Sequence, residues 1–250
     1  MNDSGNEVCM SFRRGCLRGI PIFAGYFPCA VAFGLAAGYG GFSLPEGVLM
    51  SLIVFAGASQ FMAVSLVAAS AGMVEIVLAT LLLNFRHFLM SASLFPRLSG
   101  SRRWLPLEAF GVTDETYSLL SFSPEELSPS FVLGVELTAY LGWVSGTLVG
   151  LAGGDILPGK VQLSLGIVLY ALFVALLMPE VRRHWRHGAV ALIAAGVHIL
   201  LSRLGGLSSG WNIILSILAG ALAGTLLFSG GEPDKPGSAG RIPDEEVRHE

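Results

Sequence analysis

The chain predicts an all-α, polytopic transmembrane helix bundle of seven or eight spans, on three observations. Hydrophobic residues fill 53% of its 250 positions and charged residues only 13%, against roughly 25% charged in soluble domains. Mean hydropathy is +0.67. Apolar runs near the ~20 residues that a bilayer demands recur along the chain. The 32 glycines and 12 prolines suit such a bundle, because glycine lets helices approach closely and neighbouring helices tolerate proline. A net charge of −3 gives no reason to expect a nucleic-acid partner; the expected surroundings are the lipid bilayer.

Residues 1–17 read as a cytoplasmic N-terminal segment. Arg13, Arg14 and Arg18 ahead of an apolar stretch imitate a signal peptide, but the stretch is long, holds Pro21 and Pro28, and lacks a clear cleavage site. A retained first span over 18–40 is expected. Its two prolines remove backbone donors. The span is either a kinked packing helix or a broken helix whose freed backbone meets a substrate.

Next come spans at 47–70 and 73–95. The first carries Gly57-Ala58-Ser59-Gln60, and the second Asn84-Phe85-Arg86-His87. An arginine near a helix centre costs roughly 2.5–3.5 kcal/mol on insertion scales and usually faces a partner or a watery cavity. The segment 104–122 is ambiguous, with Thr113-Asp114-Glu115-Thr116 in its middle. Crossing makes eight spans; lying on the surface makes seven. The balance of lysine and arginine is equally uneven in both topologies, so the positive-inside rule does not choose.

Further spans are expected at 130–153, 161–181, 188–205 and 211–229, which makes 18–229 a transmembrane transport domain. Residues 230–250, rich in glycine, proline and mixed charge, are expected to be a disordered tail. Glu75, Glu136 and Glu180 lie near span ends and read as interfacial, and His198 reads as a packing histidine. Cys9, Cys16 and Cys29 lack metal-ligand spacing and read as free thiols. His184 and His187 suit a lipid-headgroup anchor better than a metal. No metal or cofactor is expected. Enzyme signatures such as a Walker loop or a zinc helix are missing, so the chain is not expected to be an enzyme.

Depth brings the polar residues together. At 1.5 Å rise per residue, Ser59, Gln60, Asn84, Arg86 and, if 104–122 crosses, Asp114 fall within about 3 Å of one plane, with Glu115 within a turn. Asp114 and Glu115 would then supply Arg86 with its counter-charge, as an ion pair or a proton-coupling site. This coincidence favours eight spans. Gly57, Ser59, Gln60, Asn84, Arg86 and His87 are the candidate substrate-binding residues. Asn84 and His87 share a helix face while Arg86 points away from Asn84, so either side could face substrate. An internal echo links Gly34-Leu35-Ala36-Ala37-Gly38 to Gly150-Leu151-Ala152-Gly153-Gly154. Seven spans would make that repeat inverted and eight would make it parallel.

The ordered set of motifs resembles the AzlC family, the large subunit of branched-chain amino-acid exporters. It consists of Pro28-x4-Phe33-Gly34; Phe55-Ala56-Gly57-Ala58-Ser59-Gln60-Phe61; Asn84-Phe85-Arg86-His87-Phe88-Leu89-Met90 with Ser93-Leu94; Thr113-Asp114-Glu115-Thr116; and Tyr140-Leu141-Gly142-Trp143 with Gly146-Thr147. The resemblance covers about residues 15–228 and omits the tail and the Ser-Pro-Glu-Glu loop around Pro124. It implies a multi-pass protein of the bacterial inner membrane, exporting valine, leucine or isoleucine by secondary, proton-linked transport. It also implies a partner, a small AzlD-like membrane subunit of about 100 residues, room for four spans of ~20. The alternative is a non-transporting membrane subunit whose polar layer serves assembly with that partner.

Overall fold

In the computed structural model, helix α1 (Asp3–Tyr39) runs unbroken through Pro21 and Pro28. It therefore includes most of the stretch expected as a separate N-terminal segment, and the first span is not the broken one. The structure describes residues 3–153, 174, 177–178, 181–182 and 184–228. The tail 230–250 lies outside the described residues, and the expected span 161–181 does so almost wholly.

Against α1 lies α7 (Pro129–Gly153), and the two helices are parallel. Ser11 and Ser128 share a hydrogen bond of 2.8 Å at one end, while Gly34 meets Thr147 and Gly150 toward the other. The backbones touch because α7 is smooth: a Cβ on Gly134 or Gly150 would strike the carbonyl of Phe12 or Val31. Lipid tails are as apolar as leucine, so close van der Waals packing of this kind is what holds membrane helices together. The echo between Gly34–Gly38 and the end of α7 thus joins helices running the same way.

Two expected segments are neither spans nor surface helices. Residues 47–70 form α2 (Leu44–Ile53) and α3 (Gly57–Ala68), arms that rise only about 15–18 Å at 1.5 Å per residue where the hydrocarbon is ≈ 30 Å thick. Gln60 Nε2 donates to Ser51 Oγ at 3.0 Å, so the arms fold back on each other. Going in, Gly47 touches Leu151 and Ser51 bonds Thr147. Coming out, Phe61 packs on Phe33, and Val64 reaches Gly40 at the end of α1. This is a re-entrant hairpin from the end where α1 finishes.

Helix α4 (Met73–Leu94) then crosses to the opposite end. There, after two short 3-10 turns, α5 (Leu105–Phe110) and α6 (Asp114–Ser121) form a second hairpin. Phe110 reaches Tyr140 and Phe55 at mid-depth. The chain then returns along α4, with Tyr117 at Ser93 and Arg97 on the Leu120 and Ser121 carbonyls. The segment 104–122 therefore enters halfway and leaves on the side it came from, so the expectation of a single crossing there fails. So does the same expectation for 47–70.

Two helices complete the described chain, α8 (Trp185–Leu204) and α9 (Ser209–Phe228). They pack on each other, and α9 also leans on α4, where Ile214 joins Leu66 and Ala79. Among the described residues five helices are long and apolar enough to cross a membrane: α1, α4, α7, α8 and α9. No strand occurs among them.

Candidate functional site

The two hairpin tips meet. Non-helical backbone at membrane depth survives only where protein or a cavity surrounds it, and both tips obey this. At the first, Phe55 and Ala56 are buried; Val54 N–H donates to Met50 O, and the Leu52 carbonyl accepts from the Tyr140 hydroxyl at 2.8 Å. At the second, Thr113 caps α6. Its N–H donates to Thr116 Oγ1 at 2.8 Å, and Thr116 Oγ1 also reaches the Gly111 carbonyl at 3.0 Å. That capping arrangement leaves Asp114 and Glu115 in the first turn of α6, where the helix dipole favours carboxylates.

Between the tips is a cavity of about 50 Å³, lined among others by Tyr26, Phe55, Gly57, Arg86, Asp114 and Trp143. Waters need roughly 10–15 Å³ each on this measure, so it holds a few of them. Arg86 Nη1 lies 2.9 Å from Asp114 Oδ2. Arg86 Nε is buried and has no hydrogen-bond partner in the protein. The Tyr26 hydroxyl sits between Thr113 Oγ1, at 2.7 Å, and the Glu115 carboxylate, which ties α1 to the second tip. Gly57 has to be glycine, because the Trp143 ring occupies the place of its Cβ.

The sequence-selected residues divide into two groups. Gly57, Arg86, His87, Asp114 and Glu115 line the cavity. Ser59, Gln60 and Asn84 stand behind it and bind one another or the scaffold. Gln60 is fully buried, donating to Ser51 and accepting from Trp143 Nε1 at 2.8 Å. Ser59 Oγ donates to Ala56 O and accepts from Asn84 Nδ2 at 3.0 Å. The angular split on α4 thus resolves with Arg86 on Asp114, His87 on the cavity and Asn84 on Ser59. Tyr26, Cys29 and Phe61 also line the cavity without having been selected, and Trp143 joins them from mid-span on α7, where the sequence offers it, with Tyr140 and Ser145, either as a cavity wall or as aromatic packing.

Residues 21–157, which hold both hairpins and the cavity, match the family described as AzlC protein. The chain belongs to the AzlC family. A membrane protein of Archaeoglobus fulgidus is 37% identical over 86% of this AzlC-family chain and 93% of its own. The inner membrane protein YgaZ of Escherichia coli is 33% identical, covering 90% and 94% respectively. The branched-chain amino acid transport protein AzlC of Bacillus subtilis is 26% identical over 78% and 77%. No solved structure matches significantly. This AzlC-family chain is accordingly a helical membrane protein.

Proposed function

We propose that this chain is the large subunit of a two-component secondary transporter in the bacterial inner membrane. It would export branched-chain amino acids and work with a small AzlD-like subunit. The observation that carries this reading is the cavity between the two hairpin tips. It pairs a cation, Arg86, with the Asp114 carboxylate, sets Glu115 on the same lining, and walls them with Phe55, Phe61, Tyr26 and Trp143. A zwitterion with an apolar side chain asks for those partners. The free Arg86 Nε–H suits its carboxylate, and Asp114 or Glu115 suits its ammonium. Placing the site at mid-depth on broken helices follows the logic of secondary transporters, where such helices surround the substrate.

Counterflow of labelled leucine, isoleucine, valine and a panel of other amino acids in proteoliposomes containing both subunits tests the reading. Saturable exchange confined to branched apolar substrates is expected. Arg86→Ala and Asp114→Asn should each reduce it at least tenfold while the protein still inserts. Normal exchange by both variants would sink the site. Loss of co-purification with the small subunit, in place of transport, would instead favour the assembly role.

A further inference from the structure

Two acids that do not line the cavity are buried nearby on α5 and α7. Glu108 on α5 and Glu136 on α7 are each 3% exposed; Glu136, placed near a span end by the sequence, is covered by protein. Both carboxylate oxygens of Glu136 and Oε1 of Glu108 are buried without a hydrogen-bond partner. Glu108 and Gly111 stand at i and i+3 on one face of the hairpin arm. The Glu136 carboxyl fills the space where a Gly111 side chain would be. Glu108 also borders a cavity of about 290 Å³ with Ser99, Ser101 and Arg102, at the end where α4 finishes.

Most other charged groups on the surrounding elements have partners elsewhere, and Arg13 on α1 is exposed. On α1, Arg14 and Arg18 reach Glu125, while Tyr26 is bound to Thr113 and Glu115. On α4, Arg86 holds Asp114 and His87 borders the central cavity; past its end, Arg97 binds hairpin carbonyls. On α7, Tyr140 donates to Leu52 O, and on α2, Glu46 bonds Ser43 at the far end. Arg102 borders the same cavity as Glu108, whereas Glu136 borders a separate apolar cavity with Leu107, Phe110 and Tyr140.

We propose that Glu108 and Glu136 form a proton-binding pair, reached from the end where α4 finishes, whose loading seats the second hairpin on α7. Holding two charges on buried carboxyl groups, three of whose four oxygens lack a donor, is costly, and a shared proton relieves that cost. Loss of the proton would set Glu136 and Glu108 repelling across the α5–α7 contact at Gly111, whose carbonyl is held by Thr116 in the cap that carries Asp114 and Glu115. A proton here is thereby linked to the central cavity. Its use as the coupling ion rests on the transporter reading above; its binding does not.

Infrared spectra of the full chain in lipid nanodiscs, titrated from about pH 6.5 to about pH 9, are the test, since ordinary glutamates are ionised throughout that range. Wild-type protein should show a protonated-carboxyl band at neutral pH. Glu108→Gln and Glu136→Gln should each shift or remove it, and the double variant should lack it. A wild-type protein without the band overturns the proposal, as does a band that either single variant leaves unmoved. Disappearance of the wild-type band when sodium replaces potassium at fixed pH would assign the pair to a metal cation and also overturn it. Wild-type leucine counterflow is scored separately: its absence beside an intact band sinks the transporter reading and leaves the pair standing.

Discussion

Gln60, selected in the sequence as a substrate-binding candidate, stands off the cavity and serves the scaffold. A buried amide in hydrocarbon has to find partners, which is why it stood out in the sequence, yet the residue type alone cannot say whether the partner is substrate or protein. Here Trp143 and Ser51 use both ends of the amide. Gln60→Leu would leave the Trp143 indole N–H unpaired in the core, at a cost of about 1–3 kcal/mol. The variant should melt earlier in detergent while substrate recognition by folded protein changes little. A variant of unchanged stability with weakened substrate affinity would put Gln60 back on the cavity. Arg86 and Asp114 were legible because a charge at mid-membrane needs a counter-charge at its own depth, and the structure sets them 2.9 Å apart. Glu136 was not legible: distance from a span end measures depth, not whether a neighbouring hairpin covers the side chain.

The elements were half legible. A run such as 47–70 satisfies every hydropathy criterion for a crossing, because a re-entrant hairpin wrapped in protein meets the same apolar surroundings as a span. The signals against it were local. Thr113-x-x-Thr116 in the middle of 104–122 is a helix start, and a start at mid-segment requires a break before it. Ser43-Leu44-Pro45-Glu46 marks the start of α2 in the same way. There the Ser43 hydroxyl and N–H donate to the Glu46 carboxylate at 2.6 and 2.8 Å, holding it below the usual glutamate range. A lowered folded value gives stability that is present above the unfolded value and lost as pH falls through the folded one. Glu46→Gln should therefore lower the melting temperature at neutral pH, and the gap to wild type should close on acidification below the glutamate range. A gap that widens in acid rejects this. For the α1–α7 contact, Gly150→Val would push a side chain into the Val31 carbonyl, an overpacking worth about 1–3 kcal/mol. Thermal melts of the full chain should show it, whereas Gly196→Ala on α8, with open space around it, should not.

For the whole molecule, a span followed by a hairpin occurs twice in opposite senses: α1 with α2–α3 entering from one end, and α4 with α5–α6 entering from the other. Tips that meet halfway set one element from each side of the membrane against a single cavity. The arrangement has a direct consequence for sidedness. Leu44 and Met73 flank the first hairpin, and Ser101 and Glu126 flank the second; all four are exposed. With Cys9, Cys16 and Cys29 replaced, single cysteines at these positions can be challenged in intact cells with a membrane-impermeant maleimide. Leu44→Cys and Met73→Cys should label from one face, and Ser101→Cys and Glu126→Cys from the opposite one. Were 47–70 a crossing, Leu44 and Met73 would separate; were 104–122 a crossing, Ser101 and Glu126 would. Either separation removes the corresponding hairpin, and with it the meeting of tips that brings Asp114 to Arg86.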